Sequence, residues 1–552
     1  MSHTDEKRKH AGRIRELFPA LTIIIAIVAL LFIGSAVIAI VASGITHFHE
    51  ALTSAEVMFS LRMSVVTSVI STAICLVLAL PTAYALSHTN MPCKRIAGIV
   101  MELTLSLPYI LLGFALLLIF SSPFGKALKD IGFAVVFQPA GIVFAQLIVN
   151  LPFAIRMVRT ALDEVNPRME FVAKTLGANS WRVFRDIILP QARNSIISCA
   201  VLTWARGMGE FGATLMLVGV TRMKTETLPG SIYLSISTGN NDVAMATAMI
   251  MLIVSAATLV LANLLNRPVG ASRIGGDGRG GWRRAEGRGA PERRATRCPT
   301  SPACRSRRNP LAGSIEIRNL RVKRGSFVLD VPALDVHPHE IFAILGSTGS
   351  GKTVLMEAVA GACSWERGEI LLDGKRADTL PIQQRHLGIL YQDYALFPHM
   401  TVRENIGYGL KVRKTDPAEI ERRVDRLLAD FGIEAIADRY PGIISGGEAQ
   451  RTALARALIL EPDILLLDEP FSALDPATKR QMYGVMRDVH ARFDCTIVFV
   501  THDFAEARIL ADRVGIVLGG RLRTVRNADR LFDVEGLESD VLAFLDIDNA
   551  TR

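Results

Sequence analysis

The most informative stretch of this sequence is Gly346-Ser347-Thr348-Gly349-Ser350-Gly351-Lys352-Thr353. It matches the pattern G-x-x-x-x-G-K-[ST], in which backbone N–H groups surround phosphate oxygens, the lysine reaches the β- and γ-phosphates and the hydroxyl binds Mg²⁺. The apolar run before it, Ile341–Leu345, predicts a buried parallel strand, and residues 354–361 predict a helix. Because strand, loop and helix follow in the order that this motif requires, we expect a nucleoside triphosphate site here.

Composition divides the 552-residue chain into unlike parts. Hydrophobic residues are 50% of the chain and concentrate in the first 266 positions, and the net charge is +9. Most of that charge lies at 268–312, which has eleven Arg and three Asp or Glu. This Arg/Gly/Pro composition cannot form a core, so we expect a solvated, disordered linker and no nucleic-acid binding. The predicted domains are a transmembrane domain at 1–267, this linker at 268–312 and a nucleotide-binding domain at 313–552.

The seven cysteines predict neither a disulfide framework nor a zinc site. Their number is odd, and none of them forms a C-x-x-C pair. Cys298 and Cys304 lie in the predicted linker, where a set of metal ligands would lack support.

The first half of the chain predicts six transmembrane helices. Residues 17–46 carry no charged side chain over 30 positions, and a bilayer needs about 20 apolar residues. The apolar core of a cleaved signal peptide is about 7–15 residues, so we expect a retained anchor. The further spans are predicted at about 57–86, 97–120, 134–153, 195–220 and 243–266.

Lysine and arginine counts orient these spans. Five precede the first span, none lies at 44–56, and seven lie between 154 and 194. The positive-inside rule therefore places the N-terminus and the 154–194 loop in the cytoplasm. Six spans return the chain to the cytoplasm, where the phosphate loop meets ATP. We expect a multi-pass protein in the lipid of a bacterial or archaeal cytoplasmic membrane.

The fifth predicted span carries two charges, Arg206 and Glu210. Their spacing of four places them on one face of a helix, and ionisable groups at membrane depth pair with each other or line a polar cavity. Gly207, Gly209 and Gly212 allow close helix approach or a local break. Two interpretations stay open: a structural salt bridge at a helix interface, or the lining of a solute path.

Five further motifs follow the phosphate loop in order over about 160 residues. They are Tyr391-Gln392-Asp393, Ser445-Gly446-Gly447-Glu448, the apolar run 464–467 ending in Asp468-Glu469, Ser472-Ala473-Leu474-Asp475, and His502. The strand-like runs 387–390 and 496–500 come directly before the first and last of them. In phosphoryl transfer the protein mainly positions groups and stabilises charge, and these residue types suit that task.

The series resembles the Q-loop, signature, Walker B, D-loop and switch histidine of the ABC family. The signature departs from the commonest form at Ile444 and Glu448. The resemblance implies an α/β P-loop ABC ATPase domain with a helical subdomain, joined to an all-α six-helix transmembrane permease. It implies ATP and Mg²⁺ as cofactors, with Thr353, Gln392 and Asp468 at the metal. Glu469 would polarise the attacking water, and Lys352, Gln392 and His502 would contact the γ-phosphate side.

The same resemblance implies a homodimer. Ser445, Gly446 and Gly447 would close over ATP bound to the other subunit, and Asp475 would link the two sites. Family members carry an adenine-stacking aromatic early in the domain, where this chain has Arg324, and Phe327 is our candidate substitute.

The loop between the fourth and fifth spans contains Glu170-Phe171-Val172-Ala173-Lys174-Thr175-Leu176-Gly177-Ala178. This pattern predicts a short helix stopped at Gly177 and a second helix that ends near Pro190. It resembles the EAA coupling loop of bacterial ABC importer permeases, although it departs at the two alanines. The resemblance implies that Glu170, Ala173, Leu176 and Gly177 dock on the ATPase. An ordinary helical hairpin is the alternative.

The cargo is indicated by three stretches that resemble molybdate transport proteins. They are Gly209-Glu210-Phe211-Gly212-Ala213-Thr214-Leu215-Met216, Glu226-Thr227-Leu228-Pro229 and Gln392-Asp393-Tyr394-Ala395-Leu396-Phe397-Pro398-His399. The resemblance implies import of molybdate or tungstate, delivered by a separate extracytoplasmic oxyanion-binding protein. Sulfate or thiosulfate import is the alternative cargo, and an exporter or a membrane-tethered regulatory ATPase are further alternatives.

Overall fold

A computed structural model describes residues 3–89, 91–265, 313–472 and 474–546. The chain forms two compact units. The first contains the residues up to Glu164 and those from Ala192 to position 265, and the second contains Val165–Gln191 and the residues from position 313 onward. The predicted linker at 268–312 and Ala473 lie outside the described residues.

The N-terminal half of the chain is helical, as predicted. Its helices are α1 His3–Gly44, α2 Phe48–Thr53, α3 Ala55–His88, α4 Lys94–Ser106, α5 Tyr109–Ser121, α6 Pro123–Asp130, α7 Pro139–Asp163, α8 Pro167–Thr175, α9 Ser180–Val183, α10 Leu189–Met208, α11 Gly212–Val218, α12 Leu228–Ser237 and α13 Asn241–Leu265. Of these, α8, α9 and the first three residues of α10 belong to the second unit.

Four helices in the described part of the chain are long and apolar enough to cross a membrane. They are Leu21–Gly44 within α1, α3, α7 and Asn241–Ala262 within α13. A fifth span is present if α4 and α5, which are bent by 112° relative to each other, count as one. The bend lies at Pro108, because proline lacks an N–H donor and disfavours helical geometry in the residue before it.

The span predicted at 195–220 is not one continuous helix. Helix α10 ends at Met208 and α11 begins at Gly212. The buried Glu210 carboxylate lies in this break and accepts a hydrogen bond of 2.8 Å from the backbone N–H of Ala213. Glycine at 207, 209 and 212 lowers the stability of a continuous helix here. In the break, the Glu210 carboxylate replaces the backbone carbonyl that a continuous helix would offer to the N–H of Ala213.

Small polar side chains let the helices of the first unit approach closely. Helix α3 buries a stripe of hydroxyls that comprises Ser60, Ser64, Thr67, Ser68 and Ser71. Ser64 accepts a hydrogen bond of 2.8 Å from the backbone of Leu228, and Gln146 on α7 donates one of 2.9 Å to the carbonyl of Gly207. Hydrogen bonds of this kind hold helices together where apolar burial gives little drive, as in a bilayer.

The second unit is built on one ten-stranded sheet. Its strands are β1 Ile315–Arg324, β2 Phe327–Val336, β3 Ile341–Leu345, β4 Arg367–Leu372, β5 Lys375–Arg376, β6 Leu387–Leu390, β7 Ile464–Asp468, β8 Thr496–Thr501, β9 Arg513–Leu518 and β10 Arg521–Asn527. The order is β5-β4-β1-β2-β10-β9-β3-β8-β7-β6. Strands β9, β3, β8, β7 and β6 run parallel, so the ends of β3, β6, β7 and β8 that carry the predicted motifs meet at one edge. This arrangement confirms the strands predicted at 341–345 and 387–390.

Helices cover this sheet and form a helical subdomain. They are α14 Lys352–Ala360, α15 Val402–Val412, α16 Pro417–Phe431, α17 Gly446–Leu458, α18 Pro476–Phe493, α19 Phe504–Leu510 and α20 Ser539–Phe544. Helix α16 buries Val424, Leu427, Leu428 and Phe431, which recur at the spacing of one helix face. They join side chains of α15 and α17 in a single apolar cluster with β3 and β7.

The loop predicted to contain two short helices begins as expected. Helix α8 is stopped by Gly177, whose φ of +100° is a left-handed conformation that favours glycine. The prediction that the second helix ends near Pro190 is wrong. Helical backbone continues from Ser180 through a π-helical turn at Phe184–Ile188 into α10, and Pro190 lies directly after that turn, where the regular hydrogen-bond ladder is interrupted.

Candidate functional site

The glycine-rich loop joins the end of β3 to the start of α14. Gly349 and Gly351 have φ angles of +79° and +104°, which turn the backbone toward the loop interior. The Lys352 ammonium donates hydrogen bonds to the carbonyls of Gly346, at 2.8 Å, and Ser347, at 2.9 Å. Burial lowers the pKa of Lys352, while the carboxylates of Glu469 and Asp468 act against that change. The loop thus surrounds a buried cation with two acidic groups nearby.

Thr353 and Asp468 form a pair of oxygen donors beside the loop. The Thr353 hydroxyl donates a hydrogen bond of 3.0 Å to Asp468, which is 2% exposed. Burial raises the pKa of Asp468, and the hydrogen bond from Thr353 opposes it. Mg²⁺ prefers such hard oxygen ligands together with substrate phosphates, so this pair fits it. No cluster of three or more His, Cys, Asp or Glu that could hold a metal occurs in the described ranges.

Three predicted residues converge at the end of β7. Glu469 follows the strand directly, with a φ of +46°. Its carboxylate lies 3.5 Å from Nδ1 of His502 and accepts a hydrogen bond of 3.4 Å from the Gln392 side chain. Gln392 also donates to the Ser472 hydroxyl at 3.4 Å. Of the three residues predicted to lie at the metal, Thr353 and Asp468 contact each other, whereas Gln392 contacts the Glu469 carboxylate instead.

Gln392 and Glu469 line a cleft of about 370 Å³. Its lining includes seven of the residues predicted for nucleotide binding or hydrolysis, namely Thr348, Gly349, Gly351, Lys352, Thr353, Gln392 and Glu469. Phe327 and Arg324 also line it, and a Cβ atom at Gly351 would come within 2.8 Å of the Phe327 ring. The candidate aromatic thus lies against the phosphate loop, while Arg324 pairs with Glu357 at 2.6 Å.

The signature residues form the start of α17, apart from this cleft. Ser445, Gly446, Gly447 and Asp475 are not among the residues that line it. Ser445 caps the helix, and the Glu448 carboxylate accepts hydrogen bonds of 2.8 Å from both the backbone N–H and the hydroxyl of Ser445. These bonds lower the pKa of Glu448. Glutamate at this position therefore completes a capping box.

The segment Val165–Gln191 packs on the ATPase sheet next to Gln392. Asn166 donates a hydrogen bond of 2.8 Å to the Asp393 carboxylate, and Arg168 lies 3.4 Å from the same group. The Arg168 guanidinium also stands 5.1 Å from the centre of the Tyr391 ring. The segment thus contacts the residues on both sides of Gln392.

A second set of contacts holds the far end of the segment. Arg182 donates a hydrogen bond to the carbonyl of Val412, and His399 donates one of 2.7 Å to the carbonyl of Asp186. Burial lowers the pKa of His399, so the neutral ring is favoured there. Of the predicted docking residues, Ala173 and Leu176 are buried, and Gly177 lies near Val412. Sequence reasoning missed Asn166, Arg168, Arg182 and His399, although Asn166-Pro167 is a helix-start signal.

Arg456 is a further residue that sequence reasoning missed. It lies on α17, is 1% exposed, and donates hydrogen bonds to the carbonyls of Ala395, at 2.7 Å, and Tyr394, at 2.8 Å. Burial lowers its pKa to about 9. Tyr394 and Ala395 have φ angles of +60° and +43°, so their turn is strained. The guanidinium, 5.0 Å from the centre of the Phe397 ring, stabilises this turn from the signature helix.

Comparison with known proteins defines the class. The model of the ABC transporter family matches residues 329–472, and that of the binding-protein-dependent transport system inner membrane component matches residues 76–270. This chain belongs to the ABC transporter family and joins a permease domain and an ATPase domain in one polypeptide.

The proteins that this chain resembles include import ATP-binding proteins. The chain is 44% identical to a sulfate/thiosulfate import ATP-binding protein of Nephroselmis olivacea, over 40% of this chain and 64% of that protein. It is 41% identical to a probable sulfate/thiosulfate import ATP-binding protein of Chlorella vulgaris, over 40% and 94%. It is 43% identical to a molybdate/tungstate import ATP-binding protein of Pyrococcus horikoshii, over 43% and 68%. The relatives thus include proteins named for import of sulfate or thiosulfate and proteins named for import of molybdate or tungstate.

Replacing Arg456 tests the contribution of the buried guanidinium to stability. Arg456→Met leaves two buried carbonyls without donors, so we expect a loss of roughly 2–5 kcal/mol in the free energy of unfolding. Calorimetry of the full chain in detergent should show the ATPase transition lowered by about 5–15 °C. Arg456→Lys, which keeps a cation without the fork of donors, should lie in between. Arg426→Met, at an exposed arginine, is the control and should change little; an equal effect there would contradict the assignment.

Proposed function

We propose that the protein uses ATP hydrolysis to import a tetrahedral oxyanion across the cytoplasmic membrane. The observation that carries this proposal is the docking of Val165–Gln191 on the residues around Gln392. A loop between membrane helices thereby contacts the edge of the nucleotide cleft. Molybdate or tungstate is the proposed cargo, from the sequence stretches around Glu210 and Gln392. Sulfate or thiosulfate is an equally supported second candidate, because the relatives include both kinds of import protein.

The residues of the cleft have complementary roles in this proposal. The backbone of the phosphate loop and Lys352 bind the phosphates of ATP, and Thr353 and Asp468 would hold Mg²⁺. When bound, the metal neutralises phosphate charge. Glu469 accepts a proton from the attacking water, and His502 and Gln392, each within 3.5 Å of that carboxylate, keep it in place.

The active assembly in this proposal is a homodimer. Ser445, Gly446 and Gly447 lie apart from the cleft of their own chain, and in the homodimer they would close over the ATP of the second copy. Closure of two ATPase domains over two ATP molecules then moves both docking segments, and hydrolysis resets them. A separate binding protein delivers the oxyanion from outside, with the N-terminus and ATPase domain in the cytoplasm.

Uptake by reconstituted vesicles tests direction and coupling. Vesicles loaded with ATP and given labelled molybdate and its binding protein should accumulate the label. Glu469→Gln should bind ATP but lose hydrolysis and uptake by at least about 100-fold, because it removes the proposed proton acceptor. Outward flux would instead indicate an exporter, and hydrolysis without flux would indicate a tethered regulatory ATPase.

Competition among anions tests the cargo. Molybdate and tungstate have longer bonds to oxygen than sulfate, so a site shaped for them holds sulfate less well. Unlabelled tungstate should inhibit uptake of labelled molybdate at concentrations at least about tenfold below those of sulfate or thiosulfate. The reverse order would assign the transporter to sulfate.

Asp393→Ala tests the docking contact, because it removes the acceptor for Asn166 and the charge opposite Arg168. ATP binding should be kept, while the oxyanion transported per ATP hydrolysed should fall about tenfold, the effect of losing a charged hydrogen bond. Asp378→Ala is the matched control, since its carboxylate is 40% exposed against 39% for Asp393 and pairs with Arg376 nearby. Unchanged coupling in Asp393→Ala would refute the role of this contact.

A further inference from the structure

The first unit holds a guanidinium among uncharged partners. Arg206, on α10, donates a hydrogen bond of 2.7 Å to the Tyr109 hydroxyl and one of 3.4 Å to the side-chain carbonyl of Asn150. Its guanidinium lies 4.6 Å from the centre of the Phe153 ring and 5.9 Å from that of Tyr109. Aromatic faces attract a cation without neutralising it. Arg206 is therefore held in place with its charge retained.

Helix α7 shows how deep this guanidinium lies. Asn150 lies within the apolar part of the 25-residue helix Pro139–Asp163, six residues before Arg156. At 1.5 Å per residue this is about 9 Å from the first charged residue of the helix, so the Asn150 side chain lies inside the hydrocarbon core, toward its cytoplasmic side. Asn150 is 1% exposed, and Arg206 remains partly exposed beside it. An arginine at this depth faces a polar space, because contact with lipid is costly.

Of the two interpretations of Arg206 and Glu210, the structural salt bridge does not form. Helix α10 ends at Met208, so the two residues no longer share a helix face, and the Glu210 carboxylate turns to the N–H of Ala213. Within the described segments no carboxylate lies within 4.0 Å of Arg206, and Glu210 acts on it only at longer range. The two hydrogen bonds of Arg206 use two of its five N–H donors.

We propose that Arg206 and the Tyr109 hydroxyl form an anion site in the solute path, which takes a tetrahedral divalent oxyanion. The site deepens the proposed function and rests on it. A divalent oxyanion offers four acceptor oxygens, and it supplies the negative charge that no nearby carboxylate gives to the guanidinium. Asn150 is a positioning residue, because its buried carbonyl fixes the orientation of the guanidinium. A single guanidinium offsets only one of the two negative charges of the anion. The anion is therefore bound weakly enough to be released.

Charge replacement at position 206 tests this site in the full-length protein in vesicles. Arg206→Cys should raise the KM for molybdate uptake at least about tenfold. Treatment with 2-aminoethyl methanethiosulfonate adds an ammonium group to the thiol and should restore part of the uptake. Methyl methanethiosulfonate adds no charge and should restore none. Arg193→Cys, at an exposed arginine near the start of the same helix, is the matched control and should keep a normal KM.

A second readout keeps the site testable apart from transport. Molybdate or sulfate should slow the labelling of Arg206→Cys by the charged reagent, and should leave Arg193→Cys unaffected. The wild-type chain, with its seven native cysteines, receives the same reagents to correct for their reaction. Arg206→Lys, which keeps a cation, should fold and transport with an intermediate KM.

The outcomes separate the two proposals. Wild-type vesicles without ATP-driven uptake would refute the proposed function, whereas anion protection of the thiol would still support the site. Normal uptake by Arg206→Cys, or a thiol that the charged reagent reaches but no anion protects, would overturn the site. Lost uptake with an unreactive thiol would also overturn it, since Arg206 would then be a buried structural residue.

Discussion

Two adjacent residues in left-handed conformation, Tyr394 and Ala395, leave buried carbonyls that need donors, and Arg456 supplies them. The turn joins parts of the second unit that would otherwise be independent. Gln392, just before it, contacts Glu469 in the cleft, and Asp393 binds the segment that follows the fourth predicted span. Arg456 comes from the helix that begins at the signature. A shift in any one of these parts therefore changes the geometry available to the others.

The sequence predicted the parts of the ATPase whose chemistry requires a fixed local order. Strands 341–345 and 387–390 were predictable because buried parallel strands are continuous apolar runs and a motif follows each one. The cap formed by Ser445 and Glu448 follows the same local logic. Arg456 could not be found this way, because an arginine in a helix is usually exposed and only the tertiary fold buries it. The partners of Asp393 lie more than 220 residues away in sequence, beyond any local pattern.

The membrane helices were predictable in position but not in continuity. Hydropathy locates apolar segments and does not report where a backbone turns. Pro108 bends the pair α4 and α5, while Glu210 occupies the break before α11. The same break rules out the pairing of Arg206 with Glu210, one of the two interpretations of these charges, since the spacing of four has meaning only within one helix. One local irregularity thus leaves Arg206 without the ion pair that a continuous helix would have allowed.

The second unit is discontinuous in sequence, because Val165–Gln191 belongs to it together with residues made more than a hundred positions later. Translation proceeds from the N-terminus at about 5–20 residues per second, so this segment leaves the ribosome roughly 20–70 s before residue 546. During that interval Leu176, which packs beside Gly409, lacks the ATPase surface that covers it. The segment is therefore synthesised with an exposed apolar surface, and the ATPase domain of the same chain is the nearest surface that can bury it.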